Sequence, residues 1–204
     1  MTLQVVKLGG SLARTLSLPL WLDTIAQYGN GSTIVVPGGG ELADQVRAMQ
    51  QRLGFGDRTA HHMSLLAMQQ YGLAIKGLHS GYELVYTIDS LPQVLKDGRV
   101  AVWMPDIIVL DRAGIPAIWD VTSDSLSVWL ADELSAKHLV IVKSLLCTRT
   151  MSQPEHLISN NVVDKAFFKL VRRPKFSLSI LGRDDQLRFK NIIEGNAKDA
   201  EYSK

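Results

Sequence analysis

Apolar positions recur along this chain with two periods. Short runs rich in β-branched side chains fall at Leu3–Leu8, Thr33–Val36, Arg99–Trp103, His138–Val142 and Ser177–Leu181. Brief apolar runs bounded by turn residues predict strands buried on both faces. Between them the apolar residues return every three or four positions, the spacing of one helix face. Such spacing predicts a helix from Leu18 to Tyr28, with Ser17 as its cap, Pro19 in its first turn and Gly29-Asn30-Gly31 ending it. Glu41 to Leu53 reads the same way through Leu42, Val46, Met49 and Leu53. A long helix is expected from a cap at Asp57 to Leu73, and a shorter one from Asp89 or Ser90 to Asp97-Gly98. Ser125 to Ser135 carries Leu126, Trp129, Leu130 and Leu134 on one side, and a last helix is expected from Asp184 to Glu194. Ile107 to Leu110 reads as a brief extended segment.

The alternation of strands and helices predicts an α/β fold, a three-layer αβα sandwich around a mostly parallel central sheet. One domain over residues 1–195 is expected, with residues 196–204 as a loose polar tail.

Charge and composition narrow the partners. The 204 residues hold 22 basic and 20 acidic side chains, a formal charge of +2, and the two signs are interleaved. No cationic stripe of the kind nucleic acid requires is present, which leaves a small anionic substrate as the natural partner. The single cysteine, Cys147, cannot form an internal disulfide, and no Cys/His spacing suits zinc, so a reducing, cytoplasmic location without a structural metal is expected. No apolar run reaches the roughly 18–20 residues of a bilayer span.

Candidate chemistry sits where strands end. VVKLGGSL closes the first strand with Lys7, Gly9, Gly10 and Ser11, and VVPGGG closes the second with Gly38, Gly39 and Gly40. In an open α/β sheet, ligands bind beyond the carboxyl ends of the strands, so the two clusters are expected to face one cleft. Glycine lets backbone N–H groups approach a bulky anion, and a following helix start adds partial positive charge. Phosphate fits this arrangement. Lys7 would offset charge on a transferring phosphoryl group, and Ser11 would add a hydroxyl donor. Neither a Walker loop nor a Rossmann fingerprint is present.

VVKLGGSL, VVPGGG and WDVTSDSLSVWLADELSAKHLVIVKS, in this order, resemble the amino acid kinase superfamily, over roughly residues 3 to 145. The resemblance implies ATP with magnesium as cofactors, with Lys7 stabilising the transferring group and Gly9, Gly10 and Ser11 cradling donor phosphates. It places Gly38, Gly39 and Gly40 on the acceptor side and gives Asp124 the place of an organising aspartate. A buried carboxylate between lysines would also fix their direction on physical grounds. Asp120 stands where relatives often carry asparagine. Lys143, followed by Ser144, replaces a threonine common in relatives; it would either reach phosphate or be a solvated strand-end lysine. A second catalytic lysine is implied, and Lys165 in NNVVDKAFF is the candidate. Most relatives are dimers or larger, so a homodimer or higher homo-oligomer is expected.

GGGELADQVR followed by HHMSLLAMQQYG narrows the resemblance to small aspartokinase-like kinases of methanogenic archaea and methylotrophic bacteria. That subgroup implies phosphorylation of an aminomethyl-furan-methanol phosphate to its diphosphate, toward methanofuran-type cofactors. Isopentenyl phosphate, nucleoside monophosphates or acylated amino acids remain alternative acceptors, as does a non-catalytic ATP-binding role. An ionised phosphate acceptor needs cations rather than a general base. Arg47, Arg58, His61 and His62 are candidates for that task, and Asp44 for pairing with a substrate ammonium. The Met and Leu residues of HHMSLLAMQQYG are expected in the core.

Overall fold

The computed structural model describes residues 2–145, 154–160, 162–167, 169–171 and 174–195. The proposed tail and Cys147 lie outside the described residues. Six strands, β1 (Gln4–Leu8), β2 (Thr33–Pro37), β3 (Tyr82–Val85), β4 (Val100–Trp103), β5 (His138–Val142) and β6 (Ser177–Leu181), form a single sheet. Its order is β3-β4-β2-β1-β5-β6, and every pairing is parallel. Leu8, the last residue of β1, stands level with Pro37 of β2 and Val142 of β5. Three neighbouring strands therefore deliver both glycine clusters and Lys143-Ser144 to the same carboxyl end of the sheet.

Eight α-helices lie among the described residues: α1 (Ser17–Tyr28), α2 (Gly40–Leu53), α3 (Asp57–Leu78), α4 (Leu91–Lys96), α5 (Ile107–Arg112), α6 (Ser123–Glu133), α7 (Pro154–Ser159) and α8 (Gln186–Ile193). Successive strand residues face opposite ways, which divides the core in two. Val5, Ile34 and Ile141 pack with Leu126 and Leu130 of α6. Val6, Val35 and Val140 pack with Trp21 and Ile25 of α1 and Phe189 of α8. α3 serves both clusters, through Leu65 and Met68 on one and Tyr71 and Ile75 on the other. Burial of both sheet faces is the reason the strands read as continuous apolar runs.

Several local expectations change. α3 runs to Leu78 rather than ending at Leu73; Gly72 lies within it and serves close packing, since a side chain there would meet Met104 Sδ at 2.6 Å. Strand β3 was not legible: YELV is four residues long at the sheet edge, and its middle positions are only half-buried. The segment from Ile107 is helix α5, not extended chain. Asp106 caps it by accepting a hydrogen bond from Val109 N at 2.9 Å, a signal that four apolar residues in a row conceal. Ser17 and Asp57 each lie inside the first turn of their helices, with Leu16 and Gly56 at the cap positions.

Candidate active site

The two glycine clusters touch. A side chain at Gly10 would lie 2.1 Å from Gly40 N, and one at Gly38 would lie 2.3 Å from Gly10 N. Gly40 also has φ +54°, so this position needs glycine for its backbone as well as its space. Gly10 opens a short 3-10 helix (Gly10–Arg14) and Gly40 opens α2. Helix starts carry N–H groups outside the intrahelical ladder, the kind of donor that suits an anion. Ser11 Oγ lies 2.7 Å from Ser144 Oγ, which joins the β1 and β5 edges.

Below the loops lies a buried charge cluster. Asp124, in the first turn of α6, holds Lys7 Nζ 2.8 Å from Oδ1 as an ion pair and accepts a hydrogen bond from Lys143 Nζ at 2.6 Å on Oδ2. The side chains are 6 % exposed for Lys7, 7 % for Asp124 and 16 % for Lys143. Burial pulls the Lys7 ammonium down to about 8, against the attraction of Asp124. Burial would raise Asp124, but the charges of Lys7 and Lys143 outweigh it and hold its carboxyl below the ordinary range. Lys143 is thus an ion-paired partner of Asp124, not a solvated strand-end residue.

Asp164, which no motif singled out, braces this arrangement from the C-terminal third. Its carboxylate accepts from Thr122 N at 2.9 Å, Thr122 Oγ1 at 2.7 Å and Ser125 N at 3.0 Å, and also from Ser125 Oγ. Burial raises Asp164, these hydrogen bonds oppose it, and the Asp124 charge adds to the rise. The start of α6, and Asp124 with it, is pinned by a residue 39 to 42 positions away.

A cavity of about 220 Å³ opens beside the loops. Gly10, Ser11, Gly39, Gly40, Asp44 and Arg47 line one part of it, and His61, Leu65, Met68, Trp119 and Leu126 another. The Arg47 guanidinium lies 4.4 Å over the Trp119 ring and donates to Asp44 at 2.9 Å. Leu65 and Met68 belong to the core, as their spacing predicts, and also form the cavity wall. His61 is 4 % exposed and its two ring nitrogens have no hydrogen-bond partner among the described residues.

Other candidates lie elsewhere. Arg58 and His62 both face Asp111 of α5, at 2.5 and 3.2 Å, and do not line the cavity. The Lys165 side chain is 70 % exposed and lies 3.7 Å from Asp120, so the structure brings neither residue to Asp124. The second lysine on that carboxylate is Lys143, contributed by the end of β5. Trp119 and Ser64, which also line the cavity, fall inside the sequence motifs but were not singled out within them.

Comparison with known proteins agrees with this geometry. The model of the family described as "Amino acid kinase family" matches residues 2–145. A kinase of Methanocaldococcus jannaschii, [5-(aminomethyl)furan-3-yl]methyl phosphate kinase, is 29 % identical over 95 % of this chain and 94 % of its own. The uridylate kinase of Archaeoglobus fulgidus superposes with a TM-score of 0.70 at 19 % identity, covering 97 % of both chains. An isopentenyl phosphate kinase superposes with a TM-score of 0.63 at 13 % identity, covering 96 % of this chain and 97 % of that one. Two glycine loops meeting at the end of a parallel sheet, with a lysine–aspartate–lysine cluster beneath them, thus belong to a phosphotransferase, and the chain is a member of the amino acid kinase family.

Proposed function

We propose that this kinase transfers the γ-phosphoryl group of ATP to the phosphate of a small phosphorylated metabolite, [5-(aminomethyl)furan-3-yl]methyl phosphate, giving its diphosphate in methanofuran-type cofactor biosynthesis. The observation that carries the reading is the placing of Lys7 and Lys143 on Asp124 below a cavity that both glycine loops line. The relative from Methanocaldococcus jannaschii supports the choice of acceptor. The enzyme acts as one catalytic domain and as a homodimer or larger assembly.

In the reaction the bond between the γ-phosphorus and the β,γ-bridging oxygen breaks, an oxygen of the acceptor phosphate bonds to that phosphorus, and ADP leaves. The acceptor is already an anion, so the protein's task is to offset repulsion and align the two groups. Gly9, Gly10 and Ser11, with Ser144, hold the donor phosphates, while Gly38, Gly39 and Gly40 hold the acceptor. Lys7 and Lys143 face the charge that develops between them. Asp124 keeps both ammonium groups aimed. Asp124 and Asp164 are committed to lysines, hydroxyls and backbone donors, and no group of three metal-binding side chains occurs among the described residues. Magnesium would therefore be held by phosphate oxygens, where it neutralises charge.

An ATP-consumption screen with the furan phosphate, isopentenyl phosphate and nucleoside monophosphates tests the assignment. Turnover with the furan phosphate alone is expected. Preferred turnover of either alternative class would overturn the choice of acceptor.

A further inference from the structure

The wall that α3 gives to the cavity carries groups the transfer chemistry does not use. His61 lines it, buried, with both ring nitrogens unpartnered among the described residues. A neutral imidazole offers one lone pair and one N–H, and leaving them unmatched in a buried site costs free energy that a ligand can restore. Ser64, three residues on and so a neighbour on the same helix face, lines the cavity too. Its hydroxyl proton is committed to the Ala60 carbonyl oxygen at 2.9 Å, so only Oγ lone pairs remain for a ligand. Asp44 adds a carboxylate from α2, whose Oδ1 accepts from Arg47 at 2.9 Å and whose Oδ2 lies 3.9 Å from Arg14, so Oδ2 is the oxygen left for a ligand. The side chains Ser64 and Asp44 can only accept, and His61 has one nitrogen free to do so.

We infer that His61 and Ser64 form an amine-reading subsite, accepting hydrogen bonds from a primary ammonium on the acceptor while Asp44 supplies the counter-charge. The three N–H donors of an ammonium match the three acceptors, and such charge-assisted bonds are the strong ones. Burial, then the neighbouring His62, favours the neutral imidazole that acceptance requires, with Asp111 opposing. The apolar Leu65 and Met68 beside them suit the ring that carries the amine. The inference rests on the acceptor proposed above and makes the amine, rather than the ring, the feature that excludes isopentenyl and nucleoside phosphates.

Isothermal titration calorimetry without ATP separates the two ideas. The probes are [5-(aminomethyl)furan-3-yl]methyl phosphate and (5-methylfuran-3-yl)methyl phosphate, which differ only in the amine. A site built to hydrogen-bond a group rejects an analogue lacking it, so the parent enzyme should bind the amine at least about tenfold tighter. In His61→Phe that ratio should fall to about threefold or less, through weaker binding of the amine alone. Ser64→Ala, a small change at a half-buried site, should lower the ratio in the same direction with an unchanged melting temperature. Equal affinity for both probes in the parent enzyme, or an undiminished ratio in both variants, would overturn the subsite. Amine-selective binding without phosphoryl transfer would instead remove the proposed reaction and leave the subsite standing. Binding of neither probe would end both.

Discussion

An ammonium buried as deeply as that of Lys7 persists because Asp124 faces it, and the carboxylate in turn depends on two lysines. Asp124→Asn would leave both cations without their counter-charge. A stability loss of about 3–5 kcal/mol is expected for breaking one side of a buried pair, measured by denaturant unfolding. A change within ~0.5 kcal/mol would mean the cluster is more hydrated than its burial implies. The lowered Lys7 value, about 8, gives a pH prediction with two opposite signs. Since kcat/KM reports free-enzyme groups, it should fall as pH rises through about 8 and Lys7 loses its proton. Unfolded Lys7 keeps its proton to about 10.5, so from about 8 upward the unfolded state binds more protons and this residue's contribution to stability rises with pH. Above 10 the buried hydroxyls of Tyr71 and Tyr82, held protonated by burial, work the other way. A kcat/KM that stays level up to pH 10 would take the Lys7 charge out of the reaction.

At the level of elements, the site depends on loop contact and on the fixed start of α6. Gly10→Ala would drive a methyl group into the backbone at Gly40. Overpacking of this kind costs about 1–3 kcal/mol, and transfer should be lost as the loops separate. Full activity in that variant would show that the loops need not touch. Asp164→Ala would orphan the Thr122 and Ser125 donors. Each unsatisfied buried group costs about 1–3 kcal/mol, so a lowered melting temperature and a lowered kcat should appear together. Asp164→Asn retains a carbonyl acceptor and should recover part of both; a lowered melting temperature with kcat intact would limit Asp164 to stability. Strands β1, β2 and β5 were plain in the sequence because central parallel strands are apolar on both faces. β3 was not, because a four-residue edge strand with two half-buried middle positions has no such run, and the one-residue cap signal of α5 was masked by the four apolar residues after it.

Across the whole molecule, the glycine loops and the lysine–aspartate cluster were legible and the cavity wall much less so. Lys7, the glycines and Asp124 sit within local motifs that register places side by side. Lys143 showed itself only as a departure from a familiar pattern, and Asp164 joins α6 from 39 or more positions away, a contact that no local spacing encodes. Lys165 had the better sequence context, yet its side chain is exposed beside Asp120. Ser64, His61 and Trp119 become one surface only when α3 and the segment before α6 enclose the cavity. The central claim is that Lys7 acts on the phosphoryl group in transit. Phosphorus NMR of ATP incubated with the furan phosphate tests it directly, comparing the parent enzyme with Lys7→Ala. The coupled diphosphate signals of a new P–O–P bond should grow with the parent enzyme and slow by at least about a hundredfold in a variant whose circular dichroism is unchanged. Equal rates in the two proteins, or ATP cleaved to ADP and free phosphate with no diphosphate formed, would contradict it.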